Sequence, residues 1–154
     1  MRIRPLAPPP WHALEPLITE SEAEGFRFLR RLRDEHLAGV ERFDGPGEVL
    51  LGAWDGLVLV AVGGVARDPY RPGEAGAGRL RHLYVRRAER RRGVGRRLVA
   101  ALHARARRHF AVLRLRTDTA EAADFYEALG YVREAPGGTA THCLDLPPGS
   151  VAGR

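Results

Sequence analysis

Apolar and polar positions alternate along this chain with two different periods, and the switches between them mark its elements. Residues 2–6, with Ile3 between Arg2 and Arg4, predict a short first strand that the prolines Pro8, Pro9 and Pro10 interrupt. From Thr19 the spacing becomes helical, with Phe26, Leu29, Leu32 and Leu37 as the apolar positions. Thr19 or Ser21 can cap this region, and Glu22 stands where a capping box with Thr19 requires an acid. The helical pattern stops before the turn cluster Asp44-Gly45-Pro46-Gly47. Two apolar runs follow, 48–54 and 57–66, and the Asp55-Gly56 between them predicts a hairpin. Residues 67–78 are rich in proline and glycine, lack periodicity and read as a loop, after which 79–85 form a strand.

Beyond Gly93, residues Val94, Leu98, Ala101, Leu102 and Ala106 share one face of a helix that extends to about residue 108. Residues 111–116 then alternate as a strand. A helix over 120–129 turns Phe125, Ala128 and Leu129 inward and stops at Gly130. Residues 131–133 and 141–146 are strands around the turn Pro136-Gly137-Gly138. The strand–helix–strand unit at 79–116 implies a parallel crossover within an otherwise antiparallel sheet. The fold class is therefore α+β (mixed α/β), as a single domain over 1–147 with a frayed tail at 148–154.

Composition narrows the setting. A chain of 154 residues with 44% hydrophobic and 29% charged residues suits one globular domain. No apolar run reaches the roughly 20 residues that cross a bilayer, and the N-terminus has no apolar signal segment. The one cysteine, Cys143, excludes an intrachain disulfide and suits a reducing cytoplasm, the expected location. The net charge of +6 comes from arginine alone, since lysine is absent. Residues 1–77 hold nine arginines against twelve acids, and 78–154 hold sixteen against seven. An anionic ligand is thus expected on the C-terminal half and a cationic one on the N-terminal half.

The chemistry concentrates at residues 85–98, where seven arginines from Arg86 to Arg97 surround Gly93 and Gly95 between a strand and a helix. A helix N-terminus carries unpaired N–H groups and partial positive charge, so it attracts phosphate. Two common phosphate motifs are excluded. A dinucleotide fingerprint requires glycine where Leu98 stands, and a Walker loop requires a lysine. No His, Cys, Asp and Glu cluster has metal-ligand spacing, so no metal is expected. A Gly-x-Ser-x-Gly elbow is missing as well.

What remains is Arg90-Arg91-Arg92-Gly93-Val94-Gly95, with Leu83-Tyr84-Val85 before it and Phe125-Tyr126-Glu127-Ala128-Leu129-Gly130-Tyr131 after it. This set, in this order, resembles the GNAT superfamily of acetyl-coenzyme A-dependent N-acyltransferases, and the resemblance extends over about residues 48–146. It implies a mostly antiparallel central sheet, flanked by helices, in which a parallel strand pair splays to admit acetyl-CoA. The backbone of Leu83, Tyr84 and Val85 would pair with the pantetheine arm. Arg90, Arg91, Arg92, Gly93, Val94, Gly95 and Arg96 would surround the pyrophosphate, mostly through backbone N–H groups. Tyr126 would lie by the cofactor sulfur and protonate the leaving thiolate.

Two positions depart from the family pattern. Thr119 replaces an asparagine that bonds the pantetheine, and Arg79 occupies the place of a glutamate base. His82 is then a candidate base, placed by strand alternation on one face with Leu80 and Tyr84 and with a suitable ordinary pKa. Glu48, Asp68, Glu74 and ordered water are the alternatives. The resemblance implies acetyl transfer from acetyl-CoA to a primary amine by direct attack. The acceptor is a small molecule or peptide that would approach over residues 20–44, 67–78 and 136–139. The acidic balance of that half favours a cationic amine. The oligomeric state stays open, with a homodimer among the options. Two other readings stand beside this one. An arginine-rich nucleic-acid-binding module lacks aromatics interleaved with the arginines. A non-catalytic acetyl-CoA-binding protein would keep the cradle and lose the chemistry.

Overall fold

The computed structural model describes residues 1–148. The tail expected at 148–154 therefore lies, except for Pro148, outside the described residues. In chain order the elements are β1 (Arg2–Pro5), α1 (Trp11–Ala23), α2 (Phe28–Leu37), β2 (Val49–Asp55), β3 (Val58–Arg67) and β4 (Ala77–Val85). A single 3₁₀ turn, Arg87–Glu89, precedes α3 (Val94–Ala106), β5 (Val112–Leu115), α4 (Ala120–Ala128), β6 (Val132–Arg133) and β7 (His142–Asp145). The strands form one sheet in the order β1-β2-β3-β4-β5-β7-β6. Every neighbouring pair is antiparallel except β4 and β5. This is the mixed α+β sheet that the strand–helix–strand unit implied.

Each sheet face carries its own core. On one, α3 and α4 bring Leu98, Leu102 and Tyr126 against Leu51, Val65, Leu80 and Leu113. On the other, α1 and α2 bring Leu14, Leu17, Leu29 and Leu32 against Leu50, Leu59, Val62 and Tyr84. The apolar face predicted for α3 is fully realised: Val94, Leu98, Leu102 and Ala106 are buried and Ala101 packs beside them. In α4 the inward residues are Ala123 and Tyr126, while Phe125 and Leu129 pack at the margin and Ala128 is exposed.

The first helix departs most from the sequence expectation. It begins at Trp11, directly after the prolines, and holds Pro16 within it. Pro10 precedes the first turn, where its missing N–H costs nothing, and its carbonyl accepts from Ala13 and Leu14 at 2.9 and 3.0 Å. The driving pattern is Leu14, Leu17, Ile18 and Ser21, a buried stripe at i, i+3, i+4 and i+7. Thr19 and Ser21 are consequently mid-helix and cap nothing. The Ser21 hydroxyl donates back to the Ile18 carbonyl at 2.8 Å. Leu37, taken from its spacing as a core position, is 67% exposed at the end of α2. The β2–β3 hairpin forms as expected, with its turn one residue later, since Asp55 pairs with Val58 across Gly56-Leu57.

Candidate active site

Residues Ala77, Gly78 and Arg79 of β4 pair with Val112, Leu113 and Arg114 of β5, and there the pairing ends. From Leu80 to Val85, β4 runs on without a partner on that side. A bulge in β4 bends it away: Gly64 of β3 faces Arg81, but Val62 faces Tyr84, so β4 holds one residue more than its neighbour. His82 takes up the irregularity with a positive φ of 61°. The extra residue also reverses side-chain parity. Leu80, Leu83 and Val85 pack toward α3, while Tyr84 enters the α1–α2 core. The alternation that placed Leu80, His82 and Tyr84 on one face is broken at His82.

The parted strands open a cleft of about 920 Å³, lined by Leu83, Tyr84, Val85 and Tyr126 among others. Its floor reaches the N-terminus of α3. Gly93 caps that helix in the left-handed conformation, with φ 79°, and a Cβ there would stand in open space. The N–H groups of Val94, Gly95 and Arg96 follow as the first turn and have no intrahelical acceptor. Gly95 does a different job, since a Cβ on it would come within 3.3 Å of Val85 and 3.4 Å of Phe125. It lets α3 lie close to β4 and α4, and so brings the helix end to the cleft.

The arginines divide. Arg91 and Arg96 are exposed and line the cleft, whereas Arg92 lies outside the lining, 3.8 Å from Glu89. The Arg90 guanidinium turns inward: it donates to Glu24 at 2.6 and 2.9 Å and to the Val85 carbonyl at 2.9 Å, and lies over the Tyr84 ring. Arg87 also reaches Glu24, at 3.3 Å. The arginine run is therefore not a continuous free basic stripe of the kind a nucleic-acid backbone needs.

Tyr126 is 7% exposed, its ring held at 5.1 and 5.5 Å from Phe125 and Tyr131. Burial alone pushes its phenol up, with no charged or hydrogen-bonding neighbour contributing. At neutral pH it is a protonated donor facing the cleft. Thr119 also lines the cleft, where its hydroxyl accepts from the Ala122 N–H at 3.1 Å as the cap of α4. Its own proton remains available to donate.

His82 is 8% exposed, with Nδ1 3.0 Å from the Phe28 carbonyl. That contact places the proton on Nδ1 and leaves Nε2 as a buried acceptor without a partner. Burial, reinforced by the charge of Arg81, pulls the imidazole down to about 3. The expectation of an ordinary histidine pKa is thus overturned by desolvation. The alternative carboxylates are engaged elsewhere. Glu48 accepts from the Gly45 and Arg67 N–H groups, Glu74 pairs with Arg114, and Asp68 is buried 3.7 Å from Arg79. None of the three lines the cleft.

Three cleft residues carried no local sequence signal of their role: Glu24, Phe28 and Arg31. They come from the α1–α2 corner, which only the tertiary fold brings to β4. The assembled site offers a helix-end anion cradle, a free strand edge and one buried hydroxyl donor in a single cleft. Among the described residues, no helix is long and apolar enough to cross a membrane, and no three His, Cys, Asp or Glu side chains are grouped to hold a metal.

The family model described as acetyltransferase (GNAT) domain matches residues 53–133. A search of curated proteins gave no match. Among solved structures, a protein from Exiguobacterium sp. 255-15 described as an acetyltransferase is similar, with 28% identity, TM-score 0.82 and coverage of 94% of this chain and 92% of that one. An aminoglycoside 6'-N-acetyltransferase complexed with coenzyme A shares the fold at 19% identity, TM-score 0.68 and coverage of 96% and 98%. A GNAT family acetyltransferase from Brucella melitensis, in complex with acetyl-CoA, does so at 18% identity, TM-score 0.68 and coverage of 96% and 88%. With a splayed parallel pair, a glycine-capped helix at its opening and a family match over more than half its length, the chain belongs to the GNAT family and is an acyltransferase.

Proposed function

We propose that the protein transfers an acetyl group from acetyl-CoA to the primary amine of a small molecule, by direct attack. The observation that carries this reading is the meeting, in one cleft, of the α3 N-terminus at Gly93 with the Tyr126 hydroxyl. The residues present fit acetyl-CoA: the cleft is large enough for an extended ligand, and its end is lined by N–H groups with no Cβ at Gly93 to obstruct them. Related folds crystallised with coenzyme A or acetyl-CoA support the same choice. The aminoglycoside acetyltransferases among them support a small-molecule acceptor.

When bound, acetyl-CoA supplies the activated thioester. The N–H groups of Val94, Gly95 and Arg96 would hold its pyrophosphate, with the exposed Arg91 and Arg96 adding charge. The free edge of β4 from Leu83 to Val85 would hold the pantetheine arm and present an N–H to the acetyl oxygen as negative charge develops there. Thr119 would donate to the same arm. Tyr126 keeps its proton at neutral pH and would give it, or a hydrogen bond, to the departing sulfur. A histidine with a pKa of about 3 holds an amine's proton poorly, so His82 is better read as part of the cleft wall, with the proton passing to water.

Calorimetry with acetyl-CoA tests the reading, with Gly93→Glu as the control that puts an anionic side chain into the cradle. Binding by the native chain and its loss in the variant are expected, together with coenzyme A release when primary amines are added. Absence of acetyl-CoA binding, or binding that Gly93→Glu leaves unchanged, would defeat it.

A further inference from the structure

We propose that the acceptor carries an anionic group, such as a carboxylate, beside its amine, and that Arg31 and Arg81 receive it. The inference deepens the acetyl-transfer reading above and rests on it. Away from the α3 cradle, toward the α1–α2 corner, the cleft wall is built by Phe26, Phe28, Arg31, Arg79, Arg81 and His82. The one carboxylate that this corner brings to the lining, Glu24, is taken up by Arg90 at 2.6 Å and Arg87 at 3.3 Å. The other acids of the lining, Glu89, Asp118 and Glu121, come from the cradle or the α4 end, and Glu89 faces Arg92.

The acidic surplus of the N-terminal half, which predicted a cationic acceptor, is neutralised within the fold. Glu24 pairs with Arg90 at 2.6 Å, Glu74 with Arg114 at 3.1 Å and Asp68 with Arg79 at 3.7 Å, each an acid of residues 1–77 met by an arginine of 78–154. The arginines of the wall are less well matched. Arg79 is satisfied in part by the Thr139 carbonyl at 2.7 Å and by Asp68 at 3.7 Å, and Tyr70 covers it at 4.7 Å. Arg81 has Glu35 at 3.9 Å and lies near enough to Glu41 to act on its carboxyl, and both acids stand outside the lining. Arg31 is exposed and, among the described residues, has no carboxylate within 4.0 Å.

His82 reports the resulting field. It sits between these groups, and the charges of both Arg81 and Arg31 add to burial in keeping its imidazole neutral, with no acid opposing them. A polycationic amine would meet two like charges here, while an anion would gain charge-assisted hydrogen bonds from them. The rings of Phe26 and Phe28 give the body of such a molecule an apolar wall.

The test is a panel of primary amines assayed for coenzyme A release: free α-amino acids and dipeptides, the same molecules as C-terminal amides, and the aminoglycoside kanamycin. The carboxylate-bearing members should show kcat/KM about tenfold or more above their amides and above kanamycin. Arg31→Glu should raise KM for the carboxylate members about five- to tenfold more than it changes KM for the matching amides. Acetyl-CoA binding is followed in parallel by calorimetry. Equal use of acids and amides, preference for kanamycin, or no turnover of any carboxylate member by a chain that binds acetyl-CoA overturns the anionic acceptor alone. Failure to bind acetyl-CoA overturns the underlying reading instead.

Discussion

Glu24, at the end of α1, grips the Arg90 guanidinium with both carboxylate oxygens, Oε1 to Nη2 at 2.6 Å and Oε2 to Nη1 at 2.9 Å. The Tyr84 hydroxyl shares the same carboxylate, and Arg90 in turn holds the Val85 carbonyl at 2.9 Å. One side chain thereby ties α1, the free end of β4 and the loop that leads into α3. Sixty-six residues separate the partners, so the pair fixes the helix-end cradle from outside it.

Replacing Glu24 with Gln should therefore loosen the loop and the fold together. Loss of a charge-assisted, two-point contact at a partly buried site costs about 1–2 kcal/mol, or roughly 3–6 °C in melting temperature for a domain of this size. Hydrogen bonds from Arg90 hold the Glu24 carboxyl down at about 2, below its ordinary 4.5. A depressed carboxyl stabilises the fold fully above its unfolded value and loses that contribution as pH falls through the folded one. The gap between the native chain and Glu24→Gln should thus be widest at pH 7 and shrink between about pH 5 and pH 2. Denaturant titrations across that range would refute the assignment if the gap stayed constant.

His82 also costs stability as pH falls, by refusing a charge where Glu24 holds one. Burial first, then the charges of Arg81 and Arg31, lowers it from 6.5 to about 3. Between those values the unfolded chain takes up a proton that the folded chain refuses, so stability falls on acidification. The slope is at most about 1.4 kcal/mol per pH unit for this one group. His103, half-buried and lowered to about 4 by desolvation, adds to the same window. His82→Asn is the informative change, because asparagine tolerates the positive φ of 61° and can still donate to the Phe28 carbonyl. Its urea midpoint should decline less steeply than that of the native chain from pH 6.5 to pH 4. Parallel declines would show that His82 titrates normally.

The two glycines of the cradle predict distinct outcomes. At Gly93 an added methyl group meets nothing within 4 Å, but the backbone is left-handed, so Gly93→Ala should cost about 1–2 kcal/mol through strain alone. Gly93→Asn, which accepts that conformation, should recover most of it. At Gly95 the backbone is ordinary and space is short, so Gly95→Val should push α3 from Val85 and Phe125 and fail in Asn form too. Thermal melts of the four variants decide this; equal losses for Gly93→Ala and Gly93→Asn would remove the conformational explanation.

These positions also show what a sequence can disclose. The β2–β3 hairpin, the β4–α3–β5 crossover and the start of α3 at Gly93 were legible because local spacing and turn chemistry determine them. Pro16 and the prolines before Trp11 masked α1, whose evidence was the stripe Leu14, Leu17, Ile18 and Ser21. A packed apolar face outweighed the one hydrogen bond that Pro16 forgoes. The bulge opposite Gly63 could not be read, because it arises from how β3 and β4 pair. It nonetheless decides which way His82 and Tyr84 face. Likewise the charge tally of the N-terminal half could not tell which of its acids the fold pairs with arginines of the C-terminal half, as it does Glu24 with Arg90 and Glu74 with Arg114.

Tyr126 gives the sharpest test of the chemistry. Its ring is packed among Phe125 and Tyr131, and burial alone accounts for its raised pKa, so the hydroxyl contributes no hydrogen bond to holding the fold. Tyr126→Phe keeps the ring and should leave the melting temperature within about 1–2 °C of the native value, a surface-like effect despite the burial. If the hydroxyl assists the leaving sulfur, its loss falls on the transition state, and kcat should drop about 100-fold with acetyl-CoA affinity nearly unchanged. Thioesters with more acidic thiol leaving groups need less help, so the deficit should narrow with them. A variant whose KM rises while kcat holds would assign Tyr126 to binding. One with native kinetics throughout would make it a core aromatic.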